Sequence, residues 1–105
     1  MIRVHITRHN GVVTGVTTSG HAQSAEYGKD IVCAGVSAVV TGVCNTLVNH
    51  DFLKVGTIDF KTGYVSIHSD HMTSEHQLIL ETLITTLENI EESYGTYIKI
   101  INQEE

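Results

Sequence analysis

The sequence predicts an α/β protein, a two-layer sandwich in which two main helices cover a mixed β-sheet of about five strands. Three observations predict this fold. Short runs of alternating apolar and polar residues read as strands, a long run near the middle is apolar on almost every side, and a later run carries apolar residues at spacings of three and four. The elements follow one another in the order ββαββαβ.

The first element is an N-terminal hairpin. Residues Ile2 to Arg8 alternate as a strand, Asn10-Gly11 is the strongest short signal for a tight turn, and Val12 to about Thr18 forms the returning strand. The segment from Gly20 to Asp30 has small residues and two glycines but no apolar periodicity. It is therefore predicted to be a loop.

The first helix is predicted from Ile31 to about Asn49, with Asp30 as its N-cap. Its apolar residues surround the helical wheel, which indicates a helix that is buried on most sides. Polar and small residues interrupt the run, so no segment is expected to cross a membrane. The interrupting residues are Ser37, Thr41, Gly42 and Asn45.

A second hairpin follows, with strands from Phe52 to Phe60 and from Tyr64 to Ser69 around the turn Lys61-Thr62-Gly63. Ser74 and Gln77 have the spacing of a capping box that opens the second helix. Gly95 ends this helix, and the last strand runs from Thr96 to Asn102. The stripe of this helix consists of His76, Leu80, Leu83, Leu87, Ile90 and Tyr94.

Length and composition favour one soluble domain over residues 1–105. The chain has 105 residues, with 41% hydrophobic and 17% charged, which is an ordinary globular balance. The start of the chain alternates and does not resemble a signal peptide, so we expect a cytoplasmic protein. The net charge of −6 disfavours nucleic acid as a direct partner and favours a basic one.

The chemistry is expected between Gly20 and Ala38. This segment places His21 at the end of a strand and Cys33 as the third residue of a helix. Unpaired N–H groups and the positive end of the helix would stabilise a thiolate and an oxyanion there, and an imidazole would take the thiol proton. A buried cysteine is more often inert packing, which is how we interpret the mid-helix Cys44. No disulfide is expected, since the two cysteines are too far apart on one helix.

Two strings carry a resemblance to a known family. Gly20-His21-Ala22, followed by Gly28 to Ala34 (GKDIVCA) and by Ser37, is similar to the signature of the ribosomal-processing cysteine protease family, Prp. The resemblance implies that His21 and Cys33 are catalytic and that no cofactor is needed. It also implies an N-terminal extension of a bacterial large-subunit ribosomal protein as the substrate, with an apolar and aromatic segment before the cut and a basic one after it.

The resemblance further implies a homodimer and a mobile loop over the active site. A loop of small residues suits a lid that orders when peptide arrives. The residues of this predicted lid are Gln23, Ser24, Ala25, Glu26, Tyr27, Gly28 and Lys29.

Asp30 and Ser37 are the other candidates for the site. Three roles compete for Asp30: it caps the helix, orients His21, or receives a basic residue of the substrate. Capping is the role that base rates favour. Ser37 lies one helical turn after Cys33, where its hydroxyl would bond the sulfur or simply pack.

Two rival functions are left open by the sequence. The first rival is a metal hydrolase. His68, Asp70, His71 and His76 have the residue types of a zinc site, although their spacing matches no compact motif. Stoichiometric zinc and activity sensitive to chelators would support this function. Alternatively, the acidic protein is a ribosome-assembly factor that only holds a basic ribosomal protein. Binding of a peptide without cleavage would support this second reading.

Overall fold

The fold agrees with the predicted class and order. The computed structural model describes residues 1–20 and 27–105. For residues 27–30 it describes the backbone alone. A short 3₁₀ turn, Phe52–Lys54, precedes the third strand. The main elements are β1 (Ile2–His9), β2 (Val12–Ser19), α1 (Tyr27–Asn49), β3 (Thr57–Lys61), β4 (Tyr64–His68), α2 (Ser74–Tyr94) and β5 (Ile98–Glu104).

The five strands form one mixed sheet in the order β3-β4-β2-β1-β5. Neighbouring strands are antiparallel except β1 and β5, which run parallel in a register that aligns Ile2 with Ile98 and Arg8 with Glu104. One face of β1 is buried and the other exposed, and α1 and α2 pack against each other and against the buried face. The molecule therefore has two layers, with its core between the helices and the sheet.

The turn of the first hairpin confirms the prediction from Asn10-Gly11. Both residues have positive φ, 52° and 80°, which is the requirement of a type I′ turn. The twist of such a turn matches the twist of the strands that it joins. The hairpin β1–β2 is thus specified locally by the sequence.

The prediction of one strand from Phe52 to Phe60 was wrong in its first half. Phe52–Lys54 is a 3₁₀ turn, and β3 begins only at Thr57. The Phe52 ring is fully buried, and the backbone at Gly56 passes close to Phe52, where a Cβ would collide with the ring. Core packing of one aromatic side chain therefore overrides the strand propensity of this segment.

Helix α1 starts four residues earlier than predicted, at Tyr27 instead of Ile31. Asp30 is therefore the fourth residue of the helix and not its N-cap, and Tyr27, Gly28 and Lys29 belong to the helix and not to a loop. A glycine costs only about 1 kcal/mol within a helix, and the segment contains no proline to stop it. The remainder of the predicted lid, residues 23–26, lies outside the described residues.

Only one side of α1 is buried, in contrast to the prediction of a helix buried on most sides. Its opposite side is exposed and carries mainly small residues. The buried residues are Val32, Val36, Val40, Val43, Cys44 and Leu47. The exposed residues include Ala34, Gly35, Ala38, Thr41 and Gly42.

The apolar character of α1 also bears on the membrane prediction. Residues Ile31–Asn49 have a mean hydropathy of 2.0 and are long and apolar enough to cross a membrane by length and composition. Length and composition alone do not show that a helix spans a membrane, so the expectation that no segment does so stays a prediction. Core helices of globular proteins meet them as well, and one side of α1 packs against the sheet.

The capping box of α2 lies one residue before the predicted one. Thr73 is the N-cap, its hydroxyl accepts a hydrogen bond from the His76 N–H at 3.2 Å, and the His76 Nδ1 accepts one from the Thr73 N–H at 3.1 Å. Gln77, the predicted partner in the box, instead bonds both backbone groups of Val13 at 3.0 and 2.7 Å. Val13 lies where the register of β1 and β2 shifts, so Gln77 satisfies backbone groups beside the irregularity.

Candidate active site

A cavity of about 370 Å³ lies between α1 and the sheet, and Cys33 is in its wall. Helix α1 contributes one side, and the strands β1, β2, β3 and β4 contribute the other together with the β3–β4 turn. The helix residues are Cys33, Val36, Ser37, Val40 and Thr41, and the remaining residues are Ile2, Thr18, Gly20, Phe60, Lys61, Thr62, Gly63, Tyr64 and Val65. A cavity of this size, mostly apolar with a few polar groups, is typical of a binding site.

Cys33 lies at the boundary between core and solvent. It is half-buried and packs against the core through its apolar neighbours, yet it also reaches the cavity. A thiol sealed in the interior could not act as a nucleophile. Cys33 is not sealed in this way, because it reaches the cavity. Ser37 lies one helical turn later, as the spacing predicts, and it lines the same cavity.

The prediction that Cys33 lies in the first turn of the helix was wrong. Counted from Tyr27, Cys33 is the seventh residue of α1. Only the first four N–H groups of a helix lack a partner within the helix, and the field of the helix dipole falls off within the first turn. The amide of Cys33 is therefore not one of the N–H groups that a helix start offers to an oxyanion.

Gly20 connects the end of β2 to the cavity and directly precedes His21 in the sequence. Its φ is +95°, its N–H donates to the Gly63 carbonyl at 3.0 Å, and it lines the cavity. The chain thus leaves the sheet at the cavity wall that faces Cys33. His21 itself lies outside the described residues, and so does the side chain of Asp30.

The structure confirms that Cys44 is a core residue. It is 5% exposed, and burial raises the pKa of its thiol. Neither cysteine, both within the described residues, forms a disulfide. The two thiols therefore occupy opposite environments on the same helix, one facing a cavity and one inside the core.

Alkylation distinguishes these two environments. Because the thiolate is the reactive species and Cys44 is both buried and harder to ionise, we expect iodoacetamide to modify Cys33 at least about tenfold faster. Mass spectrometry of peptides after brief treatment of the native protein measures both rates. Unfolding in urea should make the rates similar, whereas equal rates in the native protein would contradict an accessible Cys33.

The histidine cluster near α2 does not form the zinc site that was left open. His76 is 1% exposed, and both ring nitrogens are engaged: Nδ1 accepts from Thr73, so Nε2 carries the proton and donates to the His50 carbonyl at 2.6 Å. Within residues 1–20 and 27–105 no group of three potential metal ligands comes together. His76 is thus a structural residue that caps α2.

The residues of the β3–β4 hairpin were not identified from the sequence. Phe60 and the turn Lys61–Gly63 line the cavity with Cys33, although they are distant in sequence. One sequence feature could have indicated the cavity. Thr18 is a polar residue on the side of β2 that alternation assigns to the core, and it is 8% exposed. Nothing local in the sequence pairs the hairpin with Cys33.

Comparison with known proteins gives a consistent result over nearly the whole chain. Residues 1–99 match the family model described as cysteine protease Prp. A ribosomal processing cysteine protease Prp of Staphylococcus aureus is 42% identical over 103 residues, which cover 95% of this chain and 97% of that protein. These values are far above the level at which only the fold is shared.

Two crystal structures of the essential ribosomal processing protease Prp from S. aureus are similar to this structure. One contains a substrate peptide, with a TM-score of 0.86 and 39% identity over 98% of this chain and 100% of the other. The other contains a covalently linked product peptide, with a TM-score of 0.84, 40% identity and the same coverage. The described fold, the thiol at the cavity and these similarities together show that the chain belongs to the Prp family of cysteine proteases.

Proposed function

We propose that this protein removes the N-terminal extension of a bacterial large-subunit ribosomal protein, with Cys33 as the nucleophile and His21 as the general base. The observation that carries the proposal is the position of Cys33 in the wall of an open, mostly apolar cavity. The relatives are ribosomal processing proteases, and two of their structures hold peptides. We further propose that residues 1–105 act as one catalytic domain.

The reaction follows the usual course of a thiol protease. His21 accepts the proton of Cys33, and the thiolate attacks the scissile carbonyl to form a tetrahedral intermediate. The C–N bond then breaks, His21 gives its proton to the leaving amine, and a water molecule hydrolyses the thioester. Because Cys33 is the seventh residue of α1, the oxyanion needs N–H donors other than the regular helix amide of Cys33.

Two supporting roles are proposed for the neighbours of the dyad. Since Asp30 lies within α1, capping is no longer its role, and the remaining two are orientation of His21 and recognition of a basic substrate residue. Ser37 lines the cavity one turn from Cys33. Its hydroxyl is in a position to bond either the sulfur or the substrate backbone.

The charge of the protein supports a basic partner. Acidic residues outnumber lysine and arginine by 12 to 6, so long-range attraction favours the basic part of a ribosomal protein over nucleic acid. Exposed glutamates lie one turn apart on α2, at Glu88 and Glu92. Residues 23–26 as a lid over the bound peptide stay a prediction, whereas Tyr27, Gly28 and Lys29 belong to α1.

We also propose that the protein is a cytoplasmic homodimer. Ribosomal proteins are made and assembled in the cytoplasm, which is where their processing would take place. The exposed side of α1 carries no charged residue between Ile31 and Asn49, and small residues allow close approach of a second helix. Sedimentation of the purified protein would measure this association.

Cleavage of a precursor peptide tests the proposal. We expect the purified protein to cut a peptide that spans the extension, with a His21→Ala variant slower by about 10²–10⁴-fold, the usual contribution of a general base. His5→Ala is the matched control, because His5 lies on the exposed face of β1 and should not change the rate. Mass spectrometry identifies the products.

Two outcomes would contradict the proposed function. Tight binding of the peptide without cleavage would support the assembly factor that only holds its partner. Cleavage that His21→Ala leaves unchanged would exclude His21 as the base, although not the protease activity.

A further inference from the structure

The β5 strand forms one edge of the sheet, and half of its backbone groups point away from the sheet. At one end of the pairing with β1, the Ile2 N–H donates to the Tyr97 carbonyl at 2.9 Å. At the other end, the Glu105 N–H donates to the Arg8 carbonyl at 2.8 Å. Backbone groups alternate in direction along a strand, so the odd-numbered residues of β5 face β1 and the even-numbered ones point outward. The outward residues are Ile98, Ile100, Asn102 and Glu104.

The two edge strands of the sheet differ in how readily another strand could pair with them. β3 has five residues, and its Asp59 and Lys61 side chains form an ion pair at 3.4 Å. Short and charged edge strands resist pairing with other chains. β5 has seven residues, and three of its first four are isoleucine. The β5 edge therefore needs another means of protection against strand addition.

The Glu91 side chain extends from α2 to the middle of this edge. Its Oε2 atom accepts a hydrogen bond from the outward N–H of Ile100 at 2.6 Å, and such short bonds are typical of a charged acceptor. Glu91 forms no salt bridge with any lysine, arginine or histidine side chain that the structure describes. The carboxylate is thus directed at the sheet edge and not at a cation.

A second copy of β5 would pair through the same N–H that Glu91 covers. Identical chains usually associate about a two-fold axis, which makes the two paired strands antiparallel. The first three outward residues of β5 are centred on Ile100, so this pairing aligns the two Ile100 residues and matches Ile98 with Asn102. It would also bring two Glu91 carboxylates together, and like charges at an interface repel each other.

We propose that Glu91 closes the β5 edge, and that the surface it covers is an association site for β5 of a second copy. The inference does not depend on the protease reaction, and the surface is distinct from the exposed side of α1. If the side of α1 forms a dimer, pairing of β5 would join one dimer to the next. Two self-complementary surfaces on one chain produce open-ended assemblies. Glu91 therefore limits association of the protein to its other surface.

Sedimentation of Glu91→Ala tests the inference. We expect its average mass to rise with concentration to at least about twofold that of wild type, because the Ile100 N–H can then pair with another chain. Glu92→Ala is the matched control. It removes the same charge from the neighbouring, exposed residue of α2 and should sediment as wild type does. A Glu91→Ala protein that is folded by circular dichroism and sediments as wild type overturns the inference.

Ile100→Pro distinguishes pairing of the edge from a general loss of stability. Proline lacks the outward N–H, and edge strands tolerate proline where that group makes no bond within the sheet. We expect Glu91→Ala combined with Ile100→Pro to return to the mass of wild type. If the double variant is folded by circular dichroism and assembles as much as Glu91→Ala does, β5 is not the paired surface and the inference is wrong.

Hydrogen exchange of the Ile100 amide measures the bond to Glu91 directly. In dilute solution we expect this amide to exchange at least about tenfold faster in Glu91→Ala than in wild type or Glu92→Ala. Equal exchange in the three dilute proteins, measured by nuclear magnetic resonance, would contradict closure of the edge by Glu91. None of these measurements uses peptide cleavage, so their outcome is separate from the test of the proposed function.

Discussion

Replacing Cys33 by alanine is expected to abolish peptide cleavage, with kcat/KM lowered by at least about a thousandfold. Without the sulfur no acyl-enzyme forms, and the cavity can only bind the peptide. Because Cys33 is half-buried at the rim of the core, loss of one atom should change stability little. Rates of product formation and thermal unfolding of the same samples measure both effects.

Cys44→Ala is the matched control for this experiment. It removes the same atom from the same helix, but from the core, where Cys44 is 5% exposed. The expected result is the reverse pattern: unchanged kcat/KM and a stability loss of about 1 kcal/mol. If Cys33→Ala retains activity, or Cys44→Ala loses it, the assignment of the nucleophile is wrong.

Gly20→Ala is expected to destabilise the protein by about 3 kcal/mol and to impair cleavage as well. A Cβ at this position would collide with the Met1 carbonyl oxygen, and the φ of +95° is one that L-residues rarely adopt. Relief of the collision would move the end of β2 and the following residue, His21. Urea denaturation measures the stability, and cleavage at low temperature measures the activity of the folded fraction.

The Gly11→Ala variant separates the effect of backbone strain from the effect of the collision. Gly11 has a similar φ of +80°, but nothing lies within 4 Å of the added Cβ. We therefore expect a loss of only about 1 kcal/mol and no effect on cleavage. Equal effects of the two substitutions would show that the contact between Gly20 and Met1 has no special role.

The order and type of the main elements could be predicted from sequence because they depend on local patterns. The alternation of β1, the Asn10-Gly11 turn and the apolar stripe of α2 all have local causes, and all appear in the structure. The order of the strands could not be predicted, since the pairing of β5 with β1 joins residues that are distant in the chain. Likewise, the 3₁₀ turn at Phe52 depends on burial of the Phe52 ring in the core, which no local sequence pattern indicates.

The candidate site was predicted in part. Cys33 was placed correctly on α1 and Ser37 beside it, but the start of the helix was placed four residues too late. Gly28 was read as a loop signal, whereas its cost within a helix is small. The electrostatic argument for Cys33 therefore changes, and the proposed activation of the thiol depends mainly on the proposed role of His21 as the base.

The sheet side of the cavity could not be predicted from local sequence patterns. Phe60 and Gly63 face Cys33 only because β4 pairs with β2, which brings the second hairpin beside the first. Chemistry that depends on one residue type, such as a thiol, has a sequence signature. A wall built from an ordinary phenylalanine has none until the register of the sheet is known.

The parallel pairing of β1 with β5 has a consequence for the synthesis of the chain. One edge of β1 has no partner until residues 98–104 have been made, even though its hairpin with β2 closes early. During translation the nascent chain therefore carries an open strand edge, a known risk for association with other chains. A protease built this way completes its sheet only at the end of its own synthesis.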